Sequence, residues 1–359
     1  MKQVINLAGQ DVAVKITSAP IPTPASHQVL IKVIVAGCNP KDWKYPEWAA
    51  AYDGPADTTM GRVKAGVNQG DDIAGIVEAV GDEVLEFKPG DRVAAFHEMG
   101  TPGGSYAEYA IAWDWTTFHI PASTSFEEAA TIPLVGLTAA VALYVNLKLP
   151  TPWLPASEPT PLVIYGASSS VGSFAVKLAR ASNIHPIIAI AGKGSTYVKS
   201  LLDPSKGDII FDYRDGPDET IRKIREHLEA GKYGQPRYGL DPGIGLPSQK
   251  ILTEIVAKDG AINLVLPSQW DAGSVTKTLT AVGTVHNMDG GAHGPDATEL
   301  GLVTSRWFTK ALQAGTFDGH PFEVRPSGLE GVEQALKDLK DGKASAVKYV
   351  VRIADTPGL

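Results

Sequence analysis

The chain has 359 residues, enough for two domains, and a hydrophobic fraction of 43%, which is typical of packed globular proteins. Its formal net charge of −8 argues against nucleic-acid binding, and without a long continuous apolar run we expect no membrane span. The single cysteine, Cys38, excludes an internal disulfide framework and indicates a reducing compartment, so we expect a cytoplasmic protein.

The first 125 residues or so are predicted to form short strands joined by turns. "VLIKVIVAG" (29–37) and "IAGIVEAVG" (73–81), for example, are rich in β-branched residues. No convincing amphipathic helix appears in the sequence before residue 126. There the apolar stretch "SFEEAATIPLVGLTAAVALYVNL" (125–147) opens with a serine cap and two glutamates, and Pro133 interrupts it.

The sequence pattern changes at the proline-rich segment "PTPWLPASEPTP" (150–161), which indicates an exposed connection. Beyond it, short apolar runs alternate with amphipathic helical patterns, and we count "VGTVHNM" (282–288) among the strands. This alternation predicts a doubly wound α/β domain, which binds ligands at the carboxyl ends of its strands. We expect the tail beyond about residue 290 to rejoin the first, β-rich domain.

The segment "YGASSSVG" (165–172) lies where a dinucleotide-binding protein carries its glycine loop. Gly166 and Gly172 retain the tight turn and the close helix packing, but the middle glycine is missing. Serine hydroxyls can donate to phosphate oxygens, and the helix that follows offers its N-terminal N–H groups to an anion. We therefore predict a phosphate loop, with an ordinary capped turn as the alternative; its candidate residues are Ser168, Ser169, Ser170 and Val171.

The residues after the next predicted strand favour NADPH over NADH. In an NAD site an acidic residue ends that strand and holds the ribose diol, whereas "IIAIA" (187–191) is followed by "GKGSTYVK" (192–199), which has no acid. A 2′-phosphate needs charge and hydroxyl donors, and the candidates are Lys193, Gly194, Ser195 and Tyr197. The alternative is that Lys193 is a solvated loop lysine.

Four further stretches carry a family resemblance. In their order and spacing they resemble the medium-chain dehydrogenase/reductase superfamily over nearly the whole chain. They are "AGCNPKDWK" (36–44), "GDDIAGIVEAVGDEVLEFKPGDRV" (70–93), "GGSYAEYAI" (103–111) and "AATIPLVGLTA" (129–139). The resemblance implies a GroES-like β-rich catalytic domain, residues 1–128 and 290–359, and an NADP-binding Rossmann domain, residues 129–289.

The zinc branch of that superfamily has a cysteine where this chain has Asn39 and a histidine where it has Asp71. Cys38 lies one position before that of the zinc-branch cysteine, and it is expected to be a small buried residue. A tetrahedral zinc site needs three or four close nitrogen or sulfur ligands, so we expect no metal site and a zinc-independent enzyme.

Within the zinc-free branch, the stretches "NPKDWK" (39–44), "NQGDDIAGIV" (68–77) and "FDYRD" (211–215) look most similar to the ToxD-like, trans-acting enoyl reductases of polyketide pathways. This resemblance implies NADPH-dependent reduction of an activated carbon–carbon double bond in secondary metabolism. The substrate would be a small-molecule or carrier-bound enoyl group, and a polyketide synthase is the candidate partner. Two alternatives stay open: a free-standing quinone or enone oxidoreductase, and a non-catalytic NADPH-binding protein.

The same resemblance places Lys41, Asp42, Trp43 and Lys44 beside the cofactor and the active cleft. Lys44 is the candidate catalytic residue, because a cation there could hold a phosphate or a ribose hydroxyl, or stabilise an enolate. The alternative for Lys44 is a surface ion pair with Glu47.

Three more cofactor candidates follow from the resemblance, each with a structural role as its alternative. Thr138 is expected at the nicotinamide end, Tyr213 near the adenine, and Lys348 just before the last strand. Two segments depart from the family pattern: "DGPADTTMGRVKAGVNQG" (53–70), which is longer than usual and could reshape the substrate entrance, and "LDPGIG" (240–245), which lies near the expected cofactor.

Overall fold

The computed structural model describes residues 1–243, 245–292 and 294–359. It divides into two compact units: the first unit comprises Met1–Leu134 and Gly283–Leu359, and the second unit comprises Val135–Val282.

The strands, in chain order, are β1 (Lys2–Asn6), β2 (Val14–Ser18), β3 (Gln28–Gly37), β4 (Asp72–Val80), β5 (Arg92–Phe96), β6 (Tyr109–Trp113), β7 (Thr117–His119), β8 (Leu162–Tyr165), β9 (Ile187–Ala191), β10 (Ile209–Asp212), β11 (Tyr238–Asp241), β12 (Ala261–Leu264), β13 (Thr276–Leu279), β14 (Phe322–Arg325) and β15 (Lys348–Arg352). The α-helices are α1 (Lys41–Ala49), α2 (Thr59–Ala65), α3 (Phe126–Ala129), α4 (Pro133–Ala140), α5 (Ser170–Ala181), α6 (Ser195–Leu201), α7 (Pro217–Gly231), α8 (Leu246–Ile255), α9 (Thr298–Gln313) and α10 (Val332–Lys340).

A seven-stranded sheet organises the first unit in the order β14-β15-β3-β4-β5-β7, with β6 also paired to β3. β15 runs antiparallel to β3, with Val350 opposite Gly37 and Arg352 opposite Val35. The tail therefore completes the N-terminal sheet, as the sequence predicts. Alternate β3 residues Val29, Ile31 and Val33 are buried in the apolar core of this unit, as expected for a half-buried strand.

Two helices, α1 and α2, precede residue 126, where the sequence shows no convincing amphipathic pattern. α1 contains Pro46 and lacks a clear apolar stripe, which is the signal on which a sequence-based helix prediction depends. α2 arises inside the long 53–70 segment, where Thr58 Oγ1 caps it by accepting from Gly61 N at 3.1 Å. Tertiary packing supports both helices, because Val63 of α2 is buried in one cluster with Ala49 of α1.

The helical stretch Phe126–Asn146 is long and apolar enough to cross a membrane by length and composition. However, 89% of its most apolar window is buried inside the protein, as in the core helix of a globular fold. The serine cap is observed, since Ser125 Oγ accepts from Glu128 N, and α4 begins at Pro133.

The second unit is a six-stranded, all-parallel sheet in the order β10-β9-β8-β11-β12-β13. This is the predicted doubly wound arrangement. The expected strand at 282–288 is absent: Val282–His286 is a 3-10 turn, and the last strand is β13. β13 escaped prediction because its residues, "TKTL", are mostly exposed at the sheet edge and show no apolar alternation.

The close pairing of β3 with β4 depends on Gly75. A Cβ at this position would lie 2.1 Å from the carbonyl oxygen of Lys32 on the neighbouring strand. Gly75→Ala must therefore separate the strands, and overpacking of this kind costs roughly 1–3 kcal/mol or more. Thermal unfolding should show a clearly lowered Tm for Gly75→Ala and a nearly unchanged Tm for the control Gly9→Ala, whose Cβ would meet its nearest neighbour at 3.7 Å. Equal Tm values for the two variants would contradict this account of the sheet.

Candidate functional site

The loop between β8 and α5 has the geometry of a phosphate loop even though its middle glycine is missing. Gly166 adopts φ +64°, a conformation that favours glycine. A Cβ on Gly172 would lie 2.3 Å from Gly166 O, so the helix can approach the turn only because residue 172 is glycine. These are the two glycine roles that the sequence predicted.

The serines occupy the N-terminus of α5, a helix of 12 residues. Ser169 is the N-cap, and its Oγ accepts from Gly172 N at 3.1 Å. A hydroxyl that accepts one hydrogen bond still has its own hydrogen to donate, so Ser169 can cap the helix and donate to an anion. The side chain of Ser169 is exposed, and three neighbours are partly exposed: Ser168, Ser170 and Val171.

The 2′-phosphate candidates follow β9. Lys193 is exposed, and Gly194 is the N-cap of α6, which starts at Ser195. Tyr197 is half-buried, and its ring lies 6.0 Å from the ammonium of Lys177, a buried α5 residue that sequence reasoning missed.

Tyr213 follows β10, and its ring packs onto Gly192, where a Cβ would lie 2.6 Å from a ring carbon. The Tyr213 side chain is 39% exposed, and its ring centroid is 6.0 Å from that of Tyr165 at the end of β8. Because β8, β9 and β10 are parallel neighbours, the segments that follow them lie at one edge of the sheet. The structure thus places the serine loop, Lys193–Tyr197 and Tyr213 at this edge, and their cofactor contacts stay predictions.

Two other features of the second unit concern the expected cofactor edge. Thr138 is buried in α4, and its nicotinamide contact stays a prediction. In the 240–245 segment, Asp241 is buried at the end of β11 and accepts from Ser248 Oγ at 2.5 Å and from Gly243 N at 3.0 Å. Residue 244 lies outside the described residues.

In the first unit, Lys348 is buried, and it is the first residue of β15 rather than the residue before it. Its Nζ donates to Asp72 Oδ2 at 2.6 Å and to Asn39 Oδ1 at 2.7 Å. Asn39 Nδ2 in turn donates to Asp72 Oδ2 at 2.7 Å, and Asp72 Oδ1 accepts from Leu134 N. This network favours the structural role for Lys348 that the sequence left as the alternative.

A second buried ion pair lies beside the first. Lys41 Nζ contacts Asp71 Oδ2, donates to Gln69 O at 2.6 Å and lies 3.3 Å from Asp42 Oδ1. Asp42 Oδ2 accepts from Tyr106 Oη at 2.6 Å and from Asn39 N at 2.8 Å. Burial raises the pKa of Asp42 to about 7 and that of Asp71 to about 7, although the Lys41 charge opposes both shifts. The sequence singled out Lys41 and Asp42 but did not predict their link to Asp71.

Trp43 and Lys44 lie on the outer part of α1. Lys44 Nζ is 4.3 Å from the centroid of the Trp43 ring, and Lys340 Nζ is 5.2 Å from a ring centroid of the same side chain. Glu47 pairs with Lys340 at 2.5 Å, so the carboxylate that could have engaged Lys44 has another partner. Partial burial lowers the pKa of Lys44; the negative charge of Glu47 opposes this shift, and the positive charge of Lys340 adds to it.

The side chains at the zinc-branch positions are engaged by other groups of the protein. Both amide atoms of Asn39 are hydrogen bonded, and the Asp71 carboxylate contacts Lys41. Cys38 is buried, and burial raises the pKa of its thiol to about 12, which disfavours a thiolate. Among residues 1–243, 245–292 and 294–359, no group of three His, Cys, Asp or Glu side chains could hold a metal ion.

From the buried ion pair of Lys348 and Asp72, we predict that replacing Lys348 destabilises the protein. Lys348→Met would leave the Asp72 carboxylate buried without its cation, and breaking a buried pair in this way costs roughly 3–5 kcal/mol. The matched control Lys343→Met removes an exposed partner of Asp338 and should cost less than about 1 kcal/mol. Chemical denaturation would measure both variants. A Lys348→Met protein with wild-type stability and weakened cofactor binding would instead show that Lys348 serves the cofactor.

Comparison with known proteins agrees with this geometry. The family model of the alcohol dehydrogenase GroES-like domain matches residues 25–122. The CurK enoyl reductase has the same fold, with a TM-score of 0.72 and 20% identity over 98% of this chain and 99% of that one.

Two curated relatives are similar over nearly their full length. A trans-enoyl reductase from Gibberella fujikuroi is 42% identical over 337 residues, which cover 92% of this chain and 92% of the relative. A trans-enoyl reductase from Aspergillus sclerotiorum is 31% identical over 379 residues, which cover 98% of this chain and 100% of the relative. The predicted superfamily and the predicted group within it are confirmed: the chain belongs to the trans-enoyl reductases of the medium-chain dehydrogenase/reductase superfamily.

Proposed function

We propose that this enoyl reductase uses NADPH, works without zinc and acts on an enoyl chain carried by a separate polyketide synthase. The observation that carries the proposal is the grouping of Lys193, the serine loop and Tyr213 at one edge of the parallel sheet, in a chain that belongs to the trans-enoyl reductases. The oxidoreductase class follows from the family, whereas NADPH, zinc independence and the synthase partner are proposals.

The residues at that edge fit a dinucleotide with a 2′-phosphate. The serine loop and the α5 N-terminus would bind the pyrophosphate, because N–H groups and hydroxyls there can donate to its oxygens. Lys193 would pair with the 2′-phosphate, with Ser195 and Tyr197 as hydroxyl donors. Tyr213 would lie against the adenine with its exposed ring face. The segment 192–199 has no carboxylate that would repel the phosphate.

Bound NADPH would supply the hydride, and the protein supplies position and charge. An enoyl thioester is already polarised, so it needs less activation than a simple aldehyde. We propose that Lys44 holds a cofactor phosphate or hydroxyl, or stabilises the negative charge that develops on the substrate oxygen. Its ammonium lies against Trp43, which limits the orientations it can take.

Zinc independence is supported by the chemistry of the donor set. A Lewis-acid metal polarises a carbonyl oxygen in zinc enzymes. Here Asn39 and Asp71 contact Lys348 and Lys41, two ammonium groups that repel a cation. The relatives are trans-enoyl reductases, which supports a carrier-bound substrate and a synthase partner for this chain.

Cofactor preference tests the nucleotide site. NADPH should bind roughly tenfold to a thousandfold more tightly than NADH, the scale of one to three charge-assisted contacts at about 1.5 kcal/mol each. Lys193→Ala should remove much of this preference. The control Lys206→Ala should not, because Lys206 Nζ is engaged by Asn183 Oδ1 at 2.9 Å. Fluorescence titration with both cofactors measures the ratio, and equal affinities in the wild type would refute the NADPH assignment.

Substrate selectivity tests the reaction. The protein should oxidise NADPH with pantetheine-linked or carrier-bound enoyl chains and fail with simple aldehydes, and chelators should leave the rate unchanged. Lys44→Ala should slow turnover by roughly tenfold to a hundredfold, the scale of one lost hydrogen bond to a charged group, while Lys44→Arg should retain part of the rate.

The outcomes of this assay separate the alternatives. Loss of activity on chelation would restore a metal-dependent mechanism. Reduction of quinones but not of enoyl thioesters would favour the free-standing quinone reductase. NADPH binding without reduction of either class would favour a non-catalytic binding protein.

A further inference from the structure

The buried charges of the first unit do not balance. Three carboxyl groups, those of Asp42, Asp71 and Asp72, share their surroundings with two ammonium groups, those of Lys41 and Lys348. All three carboxyl side chains are 0% exposed. An uncompensated buried charge costs several kcal/mol, so the cluster is expected to bind one proton rather than keep an excess negative charge.

The hydrogen bonds indicate which carboxyl groups share this proton. Both oxygens of Asp72 accept hydrogen bonds, so Asp72 is fully satisfied as a carboxylate. Asp71 Oδ1 and Asp42 Oδ1 are buried and have no hydrogen-bond partner within the described residues. Lys41 Nζ lies between these two side chains, in contact with Asp71 and 3.3 Å from Asp42. The proton is therefore placed on Asp71 or Asp42.

The other titratable groups around the pair do not supply the missing charge. Tyr106 donates its hydroxyl to Asp42, and its pKa is raised by burial, so it stays neutral. Cys38 stays neutral for the same reason. His97, whose backbone N donates to Asp71 O, is also neutral near pH 7, because burial lowers its pKa. The ring centroid of Tyr45 lies 5.9 Å from Lys41 Nζ, and Lys348 forms its ion pair with Asp72.

Of Lys41, Asp71 and Asp42, it is Lys41 that solvent reaches. Its side chain is 12% exposed, whereas those of Asp71 and Asp42 are fully buried. Burial by itself would lower the pKa of Lys41, but the charges of Asp71 and Asp42 outweigh it and raise the pKa. The Lys41 ammonium can therefore give up a proton and then recover one from the buried carboxylic acid of Asp71 or Asp42.

We propose that Asp71 and Asp42 hold a reserve proton and that Lys41 delivers the proton that completes the enoyl reduction. This inference rests on the proposed function. After hydride addition to the β-carbon, the enolate electron pair takes a proton from Lys41 Nζ: the N–H bond breaks, the α-carbon–hydrogen bond forms and the thioester carbonyl is restored. The neutral amine then takes the reserve proton from Asp71 or Asp42, and a hydronium ion from solvent replaces that proton by way of Lys41, the exposed member of the cluster, so that each turnover consumes one proton. In this step Lys41 is the proton donor, and the two aspartates act through it as positioning residues.

The pH profile of kcat separates this role from a purely structural one. The carboxyl pKa values near 7 mean that the reserve proton is present below pH 7 and is lost as the pH rises, so wild-type kcat should fall above about pH 7. Asp71→Asn keeps the shape of the side chain but removes the excess carboxyl, so this step should disappear from the profile. Lys41→Met should lower kcat roughly a hundredfold with KM unchanged, the scale of general acid catalysis.

A control variant accompanies the pH profile, and a second readout does not depend on turnover. Asp91→Asn removes a surface partner of Lys88 and should leave the profile unchanged. Infrared difference spectra of the purified protein should show a carboxylic-acid C=O band that disappears between pH 6 and pH 8 in the wild type and is absent from Asp71→Asn. Circular dichroism confirms that the variants are folded.

A wild-type band that is missing, or an Asp71→Asn protein with the wild-type pH profile, would overturn the proposal. Full activity of folded Lys41→Met would overturn the role of Lys41 alone. A wild-type protein that shows the band but reduces no enoyl thioester would contradict the proposed function and the proton delivery while leaving the proton-holding pair in place.

Discussion

The ammonium of Lys348 lies 2.6 Å from Asp72 and 2.7 Å from Asn39, and this contact joins segments that are far apart in the sequence. Lys348 begins the C-terminal strand, Asp72 begins β4, and Asn39 follows β3. Asp72 also accepts from Leu134 N at the boundary of the first unit. Because neither charge can be left unpaired in the core without a large cost, the contact fixes the register of the sheet at this point.

The neighbouring pair of Lys41 and Asp71 depends on that arrangement. Asp71 and Asp72 are consecutive, and a chain that fixes one also fixes the other. The same sheet edge holds Asn39, whose amide bridges Lys348 and Asp72 and whose N–H donates to Asp42. Ammonium groups thus occupy the surroundings of the two positions that in the zinc branch hold metal ligands. In the zinc-independent mechanism that we propose, these side chains supply the positive charge at the reaction centre in place of a metal ion.

Much of this architecture could be predicted from the sequence. The alternation of apolar strands and amphipathic helices predicted the parallel sheet of the second unit, and the glycines at 166 and 172 predicted its first turn. α1 and β13 could not be predicted, because tertiary packing outweighs local propensity in a helix with Pro46 and in an exposed edge strand. The 3-10 turn at Val282–His286 was mistaken for a strand because its apolar residues resemble one.

The residues at the strand ends of the candidate site could be predicted from the sequence, but its buried ion pairs could not. Residues that contact a cofactor follow strand ends, and their positions can be read from the strand order. A buried ion pair depends on two residues distant in the chain, so Lys41 and Asp71 could not be linked before the fold was known. The signal that existed was the acidic pair "DD" at 71–72, directly before an apolar strand, where an unpaired carboxylate would be costly.

We infer that this chain reduces a conjugated carbon–carbon double bond by hydride addition at the β-carbon. The most direct measurement is the position of deuterium in the product when NADPH that carries deuterium at the transferable position reacts with a pantetheine-linked enoyl thioester. The account predicts one deuterium at the β-carbon and a solvent-derived hydrogen at the α-carbon, with the thioester intact. Deuterium at the carbonyl carbon, or a saturated product without deuterium, would contradict it.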